Sequence, residues 1–262
     1  MTLHHKISTG FPAGTLVHTN KGLVPIQDIN VGDLVLSKPE SGEGEANYKH
    51  ILNIFVYKNK ELWLVVAQKH SRSKDIQGNR LDREMFFATQ DTSEFIATPN
   101  HRILVTGMGK MGPGVLDEVI AYPQPQWKRV DQLQQYEVIV NKDGVMFYIE
   151  QAQPLSQFKD QELGTVDPTV AWYQRYYYVS QDPSETEDIE YYDFSDGTVI
   201  DIQIFKETQH LSSSKFSDKP SVGYYKSNNW KTEQNLYIPF TDKVYNLVVA
   251  DDYTYFVTKA GI

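Results

Sequence analysis

The sequence predicts an all-β protein on the strength of two observations. Its 262 residues include 17 tyrosines and 12 phenylalanines, and aromatic side chains, together with valine and isoleucine, favour strands over helices. Short apolar runs also alternate with turns rich in Gly, Asn and Asp along much of the chain, which is typical of antiparallel hairpins. A chain of this length can bury a substantial core, either as one large domain or as two small ones.

The N-terminal half of the chain is predicted to be a series of closely spaced strands. Gly22 closes a hairpin connection where a positive φ is favoured, and Gly32 and Asp33 form a tight turn. Residues 38–47, rich in Gly, Glu and Ser, are predicted to be a loop. Strands are predicted at residues 16–18, 23–26, 34–37, 48–57, 61–68 and 94–97.

The remaining strands are predicted further along the chain, with turns between them. Residues 107–114 contain four glycines and are predicted to be a flexible loop. Gly144 marks a hairpin, and Asp251 and Asp252 form a turn within the last alternating segment. Strands are predicted at residues 102–106, 136–141 and 145–149 and within residues 243–262.

A change of composition after Glu150 divides the chain. Residues 151–235 contain an acidic linker, a tyrosine-rich segment and a polar Ser/Lys loop, and we predict that they form an inserted β-rich subdomain. Residues 10–150 and 236–262 are then predicted to form one domain around this insertion. Residues 1–9 lack an apolar period and are predicted to be a remnant of an upstream segment or a tag.

Composition and charge exclude several functions. The formal net charge is −9, whereas nucleic-acid binding requires a clustered positive surface. No apolar run approaches the roughly 20 residues that cross a bilayer, and residues 1–9 are too polar for a signal peptide. The absence of cysteine excludes disulfides, thiolate metal sites and a cysteine nucleophile, and His4 and His5 lack further ligands at a metal-binding spacing. The chain is therefore expected to be soluble and to need no metal or cofactor.

Three blocks of the sequence follow one another in an informative order. They are residues 11–15 (FPAGT) with 22–26 (GLVPI) and 31–37 (VGDLVLS), residues 98–101 (TPNH), and residues 244–247 (VYNL) with 252–257 (DYTYFV). In this order and spacing they resemble the Hint (hedgehog/intein) superfamily, most closely the pre-toxin Hint modules of bacterial polymorphic toxins. The resemblance implies a horseshoe of antiparallel strands, and it leaves the insertion unexplained.

The resemblance also implies that the module cleaves its own backbone. In the family, a thiol at the first position attacks the preceding carbonyl and converts an amide into a thioester, and that position is Gly10 here. A Thr-x-x-His motif supplies an imidazole and a hydroxyl to the departing nitrogen. This implies roles for His101 and Thr98, with Asn100 between them in the motif. Asp252 matches a family position that activates the nucleophile.

Departures from the family pattern imply that neither end of this chain reacts. Gly10 has no side chain, so either it replaces the cysteine, or the cysteine is deleted and Gly10 is the residue before it. Tyr253 occupies the position at which many relatives have a second histidine. The chain ends at Gly261 and Ile262, before the His-Asn pair whose asparagine cyclises in splicing relatives.

Each candidate residue also has a purely structural interpretation. The hydroxyl of Thr98 can cap a turn, His101 can be a structural histidine after a proline turn, and Asp252 can serve the turn between two strands. The pattern of all three blocks favours the catalytic interpretation for Thr98 and His101, and it leaves both interpretations open for Asp252.

The function implied by the resemblance is single-turnover autoproteolysis, as in protein splicing. Its partners would be the upstream and downstream segments covalently linked in the same precursor, one of them a toxin, in an exported bacterial protein that is a monomer. A degenerate Hint scaffold without catalytic activity is the alternative. An endonuclease inserted at residues 151–235, as in some inteins, is disfavoured because this segment is acidic and lacks the paired helices of such enzymes.

Overall fold

The computed structural model describes residues 8–70, 92–111, 116–159, 166–176, 187–194 and 238–262. Within these ranges the regular structure is antiparallel strand, apart from two short 3-10 turns, η1 (Ile26–Asp28) and η2 (Val130–Gln132). The prediction of an all-β fold is confirmed. The strands are β1 (Phe11–Pro12), β2 (Leu16–Thr19), β3 (Gly22–Pro25), β4 (Leu34–Ser37), β5 (Asn47–Glu61), β6 (Trp63–Lys69), β7 (Thr92–Ala97), β8 (Arg102–Met111), β9 (Leu116–Arg129), β10 (Glu137–Val140), β11 (Met146–Pro154), β12 (Ser156–Lys159), β13 (Val166–Tyr176), β14 (Glu187–Asp193) and β15 (Thr241–Val249).

These strands form two six-stranded sheets and one three-stranded sheet. The first sheet has the order β1-β15-β5-β4-β2-β3, the second has the order β7-β6-β11-β10-β8-β9, and the third has the order β12-β13-β14. The pairing of β1 with β15 places Phe11 opposite Tyr245 and Pro12 opposite Val244. The first and the last described strands therefore lie side by side at one edge of the first sheet.

Strand β6 separates two hydrophobic cores, which explains its uninterrupted apolar sequence. Val65 and Ala67 belong to the core that the two six-stranded sheets build together. Leu64 and Val66 belong to a second core, which they share with Tyr173 of the three-stranded sheet. Successive strand residues point to opposite faces, so a strand that is covered on both faces needs consecutive apolar side chains.

The hairpins predicted at Gly22 and Gly144 are confirmed, and the one predicted at residues 195–197 lies outside the described residues. β2 and β3 pair across a turn that ends at Gly22 (φ 100°), and β10 and β11 pair across a turn that contains Gly144 (φ 79°). Gly32 also has a positive φ, 93°, in the turn that precedes β4. The predicted loop is present at residues 38–46. β5 begins at Asn47, one residue before the predicted start, and ends at Glu61, which makes it longer than predicted.

The prediction of a flexible loop at residues 107–114 is wrong for residues 107–111, which continue strand β8. Residues 112–114 lie outside the described residues. Gly107 is opposite Ala121 of β9, and a Cβ atom on Gly107 would lie only 2.6 Å from the carbonyl oxygen of Ile120. This glycine therefore allows two strands to approach closely, which is a recognised use of glycine within a strand.

The C-terminal residues fold back and do not continue as the predicted strand. β15 ends at Val249, and Asp251 and Tyr253 have φ values of 62° and 57°, which an extended strand does not allow. Val257 then forms a bridge with Val17 of β2. The backbones of Val257 and Ile262 donate hydrogen bonds to each other at 2.8 and 2.9 Å, so the chain closes on itself beside the first sheet.

The described part of residues 151–235 contributes β12, β13 and β14. This sheet is joined to the rest by the N–H of Gln157, which donates to the carbonyl of Ile238 at 2.7 Å, and by the hydroxyl of Tyr192, which donates to Glu94 at 3.1 Å. β11 crosses the predicted boundary at residue 150 and ends at Pro154. The division into a domain and an insertion stays a prediction.

Candidate functional site

The tetrapeptide after β7 forms a tight turn. Pro99 takes the second position, where its fixed φ suits a β-turn, and the N–H of His101 donates to the carbonyl of Thr98 at 3.0 Å. The N–H groups of Val130 and Asp131 in η2 donate to the carbonyls of His101 and Pro99 at 2.8 and 2.9 Å, respectively. The backbone bonds to η2 therefore hold Thr98 and His101 in a fixed arrangement.

The segment before β1 binds to this turn through Gly10. The N–H of Gly10 donates to Oγ1 of Thr98 at 3.1 Å, and the N–H of Thr98 donates to the carbonyl of Gly10 at 3.0 Å. Gly10 is buried and Thr98 is only 1% exposed, so bulk water does not compete for these bonds. The nitrogen held by Thr98 belongs to the Thr9–Gly10 peptide, the bond for which the resemblance implies cleavage.

His101 lies against the residue that follows this peptide. Its ring centroid is 4.3 Å from the ring centroid of Phe11, and its Nδ1 atom is buried without a hydrogen-bond partner. Burial lowers the pKa of His101 to about 4, because a charged imidazole is poorly solvated there. The neutral ring can therefore accept a proton at neutral pH and hold it only weakly.

Gly10 makes a close approach to β15 that no other residue type permits. An ideal Cβ atom at this position would lie 2.2 Å from the carbonyl oxygen of Tyr245 and 2.8 Å from its carbonyl carbon. Both atoms belong to the backbone, so a change of rotamer does not relieve the overlap. A cysteine at position 10 requires β1 and β15 to move apart, and the backbone of this chain is adapted to glycine.

Replacing Gly10 with alanine is expected to lower the free energy of unfolding by about 1–3 kcal/mol, the usual range for overpacking a well-packed site. Urea denaturation checks this result. The control is Gly144→Ala, where nothing lies within 4 Å of the new Cβ and only the positive φ is unfavourable, with an expected loss of about 1 kcal/mol. A Gly10→Ala protein as stable as the unmodified chain would contradict the close approach.

Two residues of the site, Asn246 and Tyr255, were not predicted from the sequence. Nδ2 of Asn246 donates to Oγ1 of Thr9 at 3.1 Å, and the hydroxyl of Tyr255 donates to Oδ1 of Asn246 at 3.0 Å. The ring of Tyr255 also packs edge-on against Phe11, with the centroids 5.9 Å apart. Both residues lie in the third sequence block, but their partner Thr9 is 237 positions from Asn246, and sequence spacing does not reveal that contact.

Asp252 lies apart from the Gly10 and Thr98 pair. It is 9% exposed, and its charge helps to raise the pKa of Lys49, for which a hydrogen bond to Asp251 is the main cause. Among the described residues, no hydrogen bond joins Asp252 to Gly10 or Thr98. A role for Asp252 in activating a nucleophile stays a prediction.

A cavity of about 650 Å³ opens beside the Thr9–Gly10 peptide. Thr9, which precedes Gly10, faces this cavity together with the imidazole of His101 and the C-terminal residue of the chain. Tyr253, which is 64% exposed, reaches this cavity, and Asn100 lines it as well. The lining includes Thr9, Phe11, Asn100, His101, Tyr253 and Ile262.

The described ranges contain no group of three or more His, Asp or Glu residues that could hold a metal ion. In the same ranges, no helix is long and apolar enough to cross a membrane.

Several solved structures of inteins and intein-like domains are similar to this chain. A bacterial intein-like domain from Clostridium thermocellum is 15% identical over 96% of this chain and 94% of that chain, with a TM-score of 0.41. A DnaB intein from Synechocystis sp. PCC 6803 is 17% identical over 56% of this chain and 80% of that chain, with a TM-score of 0.35. The gp41-1 intein is 19% identical over the same shares, with a TM-score of 0.33.

No protein-family model and no curated protein matches the chain. Each of these three TM-scores is below 0.5.

Proposed function

We propose that this chain is the scaffold of a self-cleaving, Hint-type module whose scissile peptide is Thr9–Gly10 and whose nucleophile is missing. The observation that carries the proposal is the pair of hydrogen bonds through which Thr98 holds both the N–H and the carbonyl of Gly10. The amide is fixed, and the residue after it, Phe11, packs against an imidazole whose Nδ1 has no partner; a fixed amide and a nearby proton carrier both favour acyl transfer on the backbone. The three sequence blocks support the same function.

With a thiol at position 10, the reaction balances without any other reactant. The thiol passes its proton to Nδ1 of His101, and the sulfur attacks the carbonyl carbon of Thr9. The bond between that carbon and the nitrogen of residue 10 breaks, the nitrogen takes the proton from His101, and a thioester forms. Since burial lowers the pKa of His101 to about 4, the imidazolium gives up its proton readily. An added thiol then attacks the thioester carbonyl, displaces the sulfur of residue 10 and releases residues 1–9.

Gly10 supplies no nucleophile, so this chain is expected to stay intact. The upstream and downstream segments of its own precursor are the proposed partners, and the proposed parent is an exported bacterial protein in which cleavage frees a toxin. The proposal that cleavage frees a toxin is based on the likeness of the sequence blocks to pre-toxin Hint modules. We further propose that the module acts as a monomer and binds no nucleic acid, in keeping with its net charge of −9.

The test is intact mass spectrometry of Gly10→Cys with and without dithiothreitol. Loss of residues 1–9 only in the presence of thiol is the expected result. In the same background, His101→Ala is expected to slow release about 100-fold, the lower range for removal of a general acid or base. Gly10→Ala is the matched control, because it carries the same Cβ atom without a thiol and should stay intact.

A second variant separates the two interpretations of Gly10. In this variant a cysteine is inserted between Gly10 and Phe11, and release of residues 1–10 would identify Gly10 as the residue before the nucleophile. If both cysteine variants fold and neither releases a peptide with thiol, the self-cleaving function is wrong.

A catalytically silent scaffold is the second candidate function. The close approach of Gly10 to the carbonyl of Tyr245 favours it, because the backbone there is adapted to glycine and not to cysteine. In this case the bonds between Gly10 and Thr98 serve only to fix β1 on the second sheet, and both cysteine variants remain intact in thiol although they fold.

A further inference from the structure

We propose that Asn246 is a positioning residue that selects a hydroxyl side chain, Ser or Thr, at the position immediately before the reacting peptide. The inference rests on the proposed function, because it names the upstream sequence that the same site prefers. In this chain the selected hydroxyl is that of Thr9.

The first observation is the contact between the two side chains. Nδ2 of Asn246 donates to Oγ1 of Thr9 at 3.1 Å in a partly buried setting. Thr9 contributes the carbonyl of the Thr9–Gly10 peptide, and Thr98 holds the nitrogen of that peptide. The peptide is therefore held from both sides, by Thr98 at its nitrogen and by Asn246 through the side chain that precedes it.

The second observation is that the amide of Asn246 is held in one orientation. Its Oδ1 atom accepts a hydrogen bond from the hydroxyl of Tyr255 at 3.0 Å, and the phenol oxygen of Tyr255 also has a backbone hydrogen bond with Leu247. The ring of Tyr255 is kept in place by Phe11, with an angle of 71° between the two rings. Because Oδ1 is occupied in this way, the atom that Asn246 presents to residue 9 is the donor Nδ2.

A donor at this place discriminates between side chains of similar size. Serine and threonine carry an acceptor oxygen one bond beyond Cβ, whereas valine has the shape of threonine but no acceptor. With valine at position 9, the partly buried Nδ2 of Asn246 loses its partner, and an unsatisfied donor is unfavourable. The cavity next to Thr9 lets water replace part of the lost bond, so the expected preference is moderate.

The first test uses the unmodified chain and does not depend on cleavage. Hydrogen exchange of the Gly10 amide, followed by NMR, reports how firmly the Thr9–Gly10 peptide is held. Thr9→Val is expected to speed this exchange about three- to tenfold, from the usual strength of one hydrogen bond, whereas Thr9→Ser leaves it unchanged. The amide of Gly32, which donates to the carbonyl of Ile51 at 2.9 Å, is the internal control.

Asn246→Ala completes a double-mutant cycle. It is expected to speed exchange of the Gly10 amide as Thr9→Val does, and the two substitutions together should have no greater effect than either alone. Equal exchange in Thr9→Val and Thr9→Ser, or additive effects of Thr9→Val and Asn246→Ala, would overturn the proposal.

The second test measures selection during cleavage. In the Gly10→Cys background with dithiothreitol, Thr9→Val should slow release of the upstream peptide about three- to tenfold relative to Thr9→Ser, and Asn246→Ala should abolish this difference. If neither folded cysteine variant cleaves, the self-cleaving function fails, and the exchange cycle still decides whether Asn246 recognises the hydroxyl. If cleavage occurs at equal rates with Ser and Val at position 9, the proposed preference for a hydroxyl is wrong and the self-cleaving function still stands.

Discussion

Acidification from pH 7 to pH 4.5 is expected to lower the free energy of unfolding by about 2–3 kcal/mol through His101 alone. Burial lowers the pKa of this residue to about 4 in the folded protein, whereas a histidine in an unfolded chain titrates near 6.5. Between these values the unfolded chain binds a proton that the folded protein does not bind. The contribution of neutral His101 to the free energy of unfolding is fully present above about pH 6.5, and it is lost as the pH falls towards 4.

His101→Gln isolates this contribution. Glutamine stays neutral throughout the range. Between the two pH values, the free energy of unfolding of the variant is therefore expected to fall by about 2–3 kcal/mol less than that of the unmodified chain. The comparison is needed because burial also lowers the pKa values of His18 and His70, and their effect has the same sign. Urea denaturation of both proteins at pH 7 and pH 4.5 is the measurement. Equal losses in the two proteins would show that His101 is not buried as described.

Lys128→Met is expected to lower the free energy of unfolding by about 3 kcal/mol, the typical loss when one partner of a buried ion pair is removed. The side chain of Glu137 has no exposed surface, and its carboxylate is paired with Nζ of Lys128. Its other oxygen accepts the N–H of Gln134 at 2.9 Å. Without the lysine, the buried carboxyl group of Glu137 loses its cationic partner, which strongly favours the unfolded chain. Urea denaturation at pH 7 measures the loss.

The matched control is the double variant that adds Glu137→Gln. Glutamine keeps an oxygen for the N–H of Gln134 and removes the uncompensated charge, so most of the lost stability is expected to return. A single Lys128→Met variant that unfolds within about 0.5 kcal/mol of the unmodified chain would contradict the importance of this pair. The pair matters for the site because Lys128 lies two residues before η2, which holds the turn of Thr98 and His101.

Most strands of the N-terminal half and the hairpins at Gly22 and Gly144 were predictable because their signals are local. Alternating apolar residues set the face of each strand, and glycine at the turn positions set where each hairpin closes, as at Gly22 and Gly144. The approach of Thr98 to Gly10 was implied by the resemblance of the sequence blocks to the Hint superfamily. The hydrogen bonds between them show that the fold brings these two residues together.

The features that escaped prediction depend on contacts distant in sequence. Gly107 looks like a loop residue locally, and only the opposing β9 shows that it serves a close strand approach. Tyr255 donates a hydrogen bond to Asn246, which in turn donates one to Thr9, and no sequence motif indicates these contacts. The fit of Gly10 against the carbonyl of Tyr245 is likewise visible only in three dimensions. Composition and the spacing of apolar residues predict which face of a strand is buried. They do not predict which strands pack against each other.

The pairing of β1 with β15 has a consequence for the order of events during synthesis. Gly10 leaves the ribosome early, but the strand that covers it contains Tyr245, which is made 235 residues later. At roughly 5–20 residues per second, translation takes about 12–47 seconds to cover that distance. Until then the Thr9–Gly10 peptide lacks the strand and the Asn246 side chain that hold it. In a parent with an active nucleophile, this delay would keep the upstream junction unreactive until the whole module had been translated.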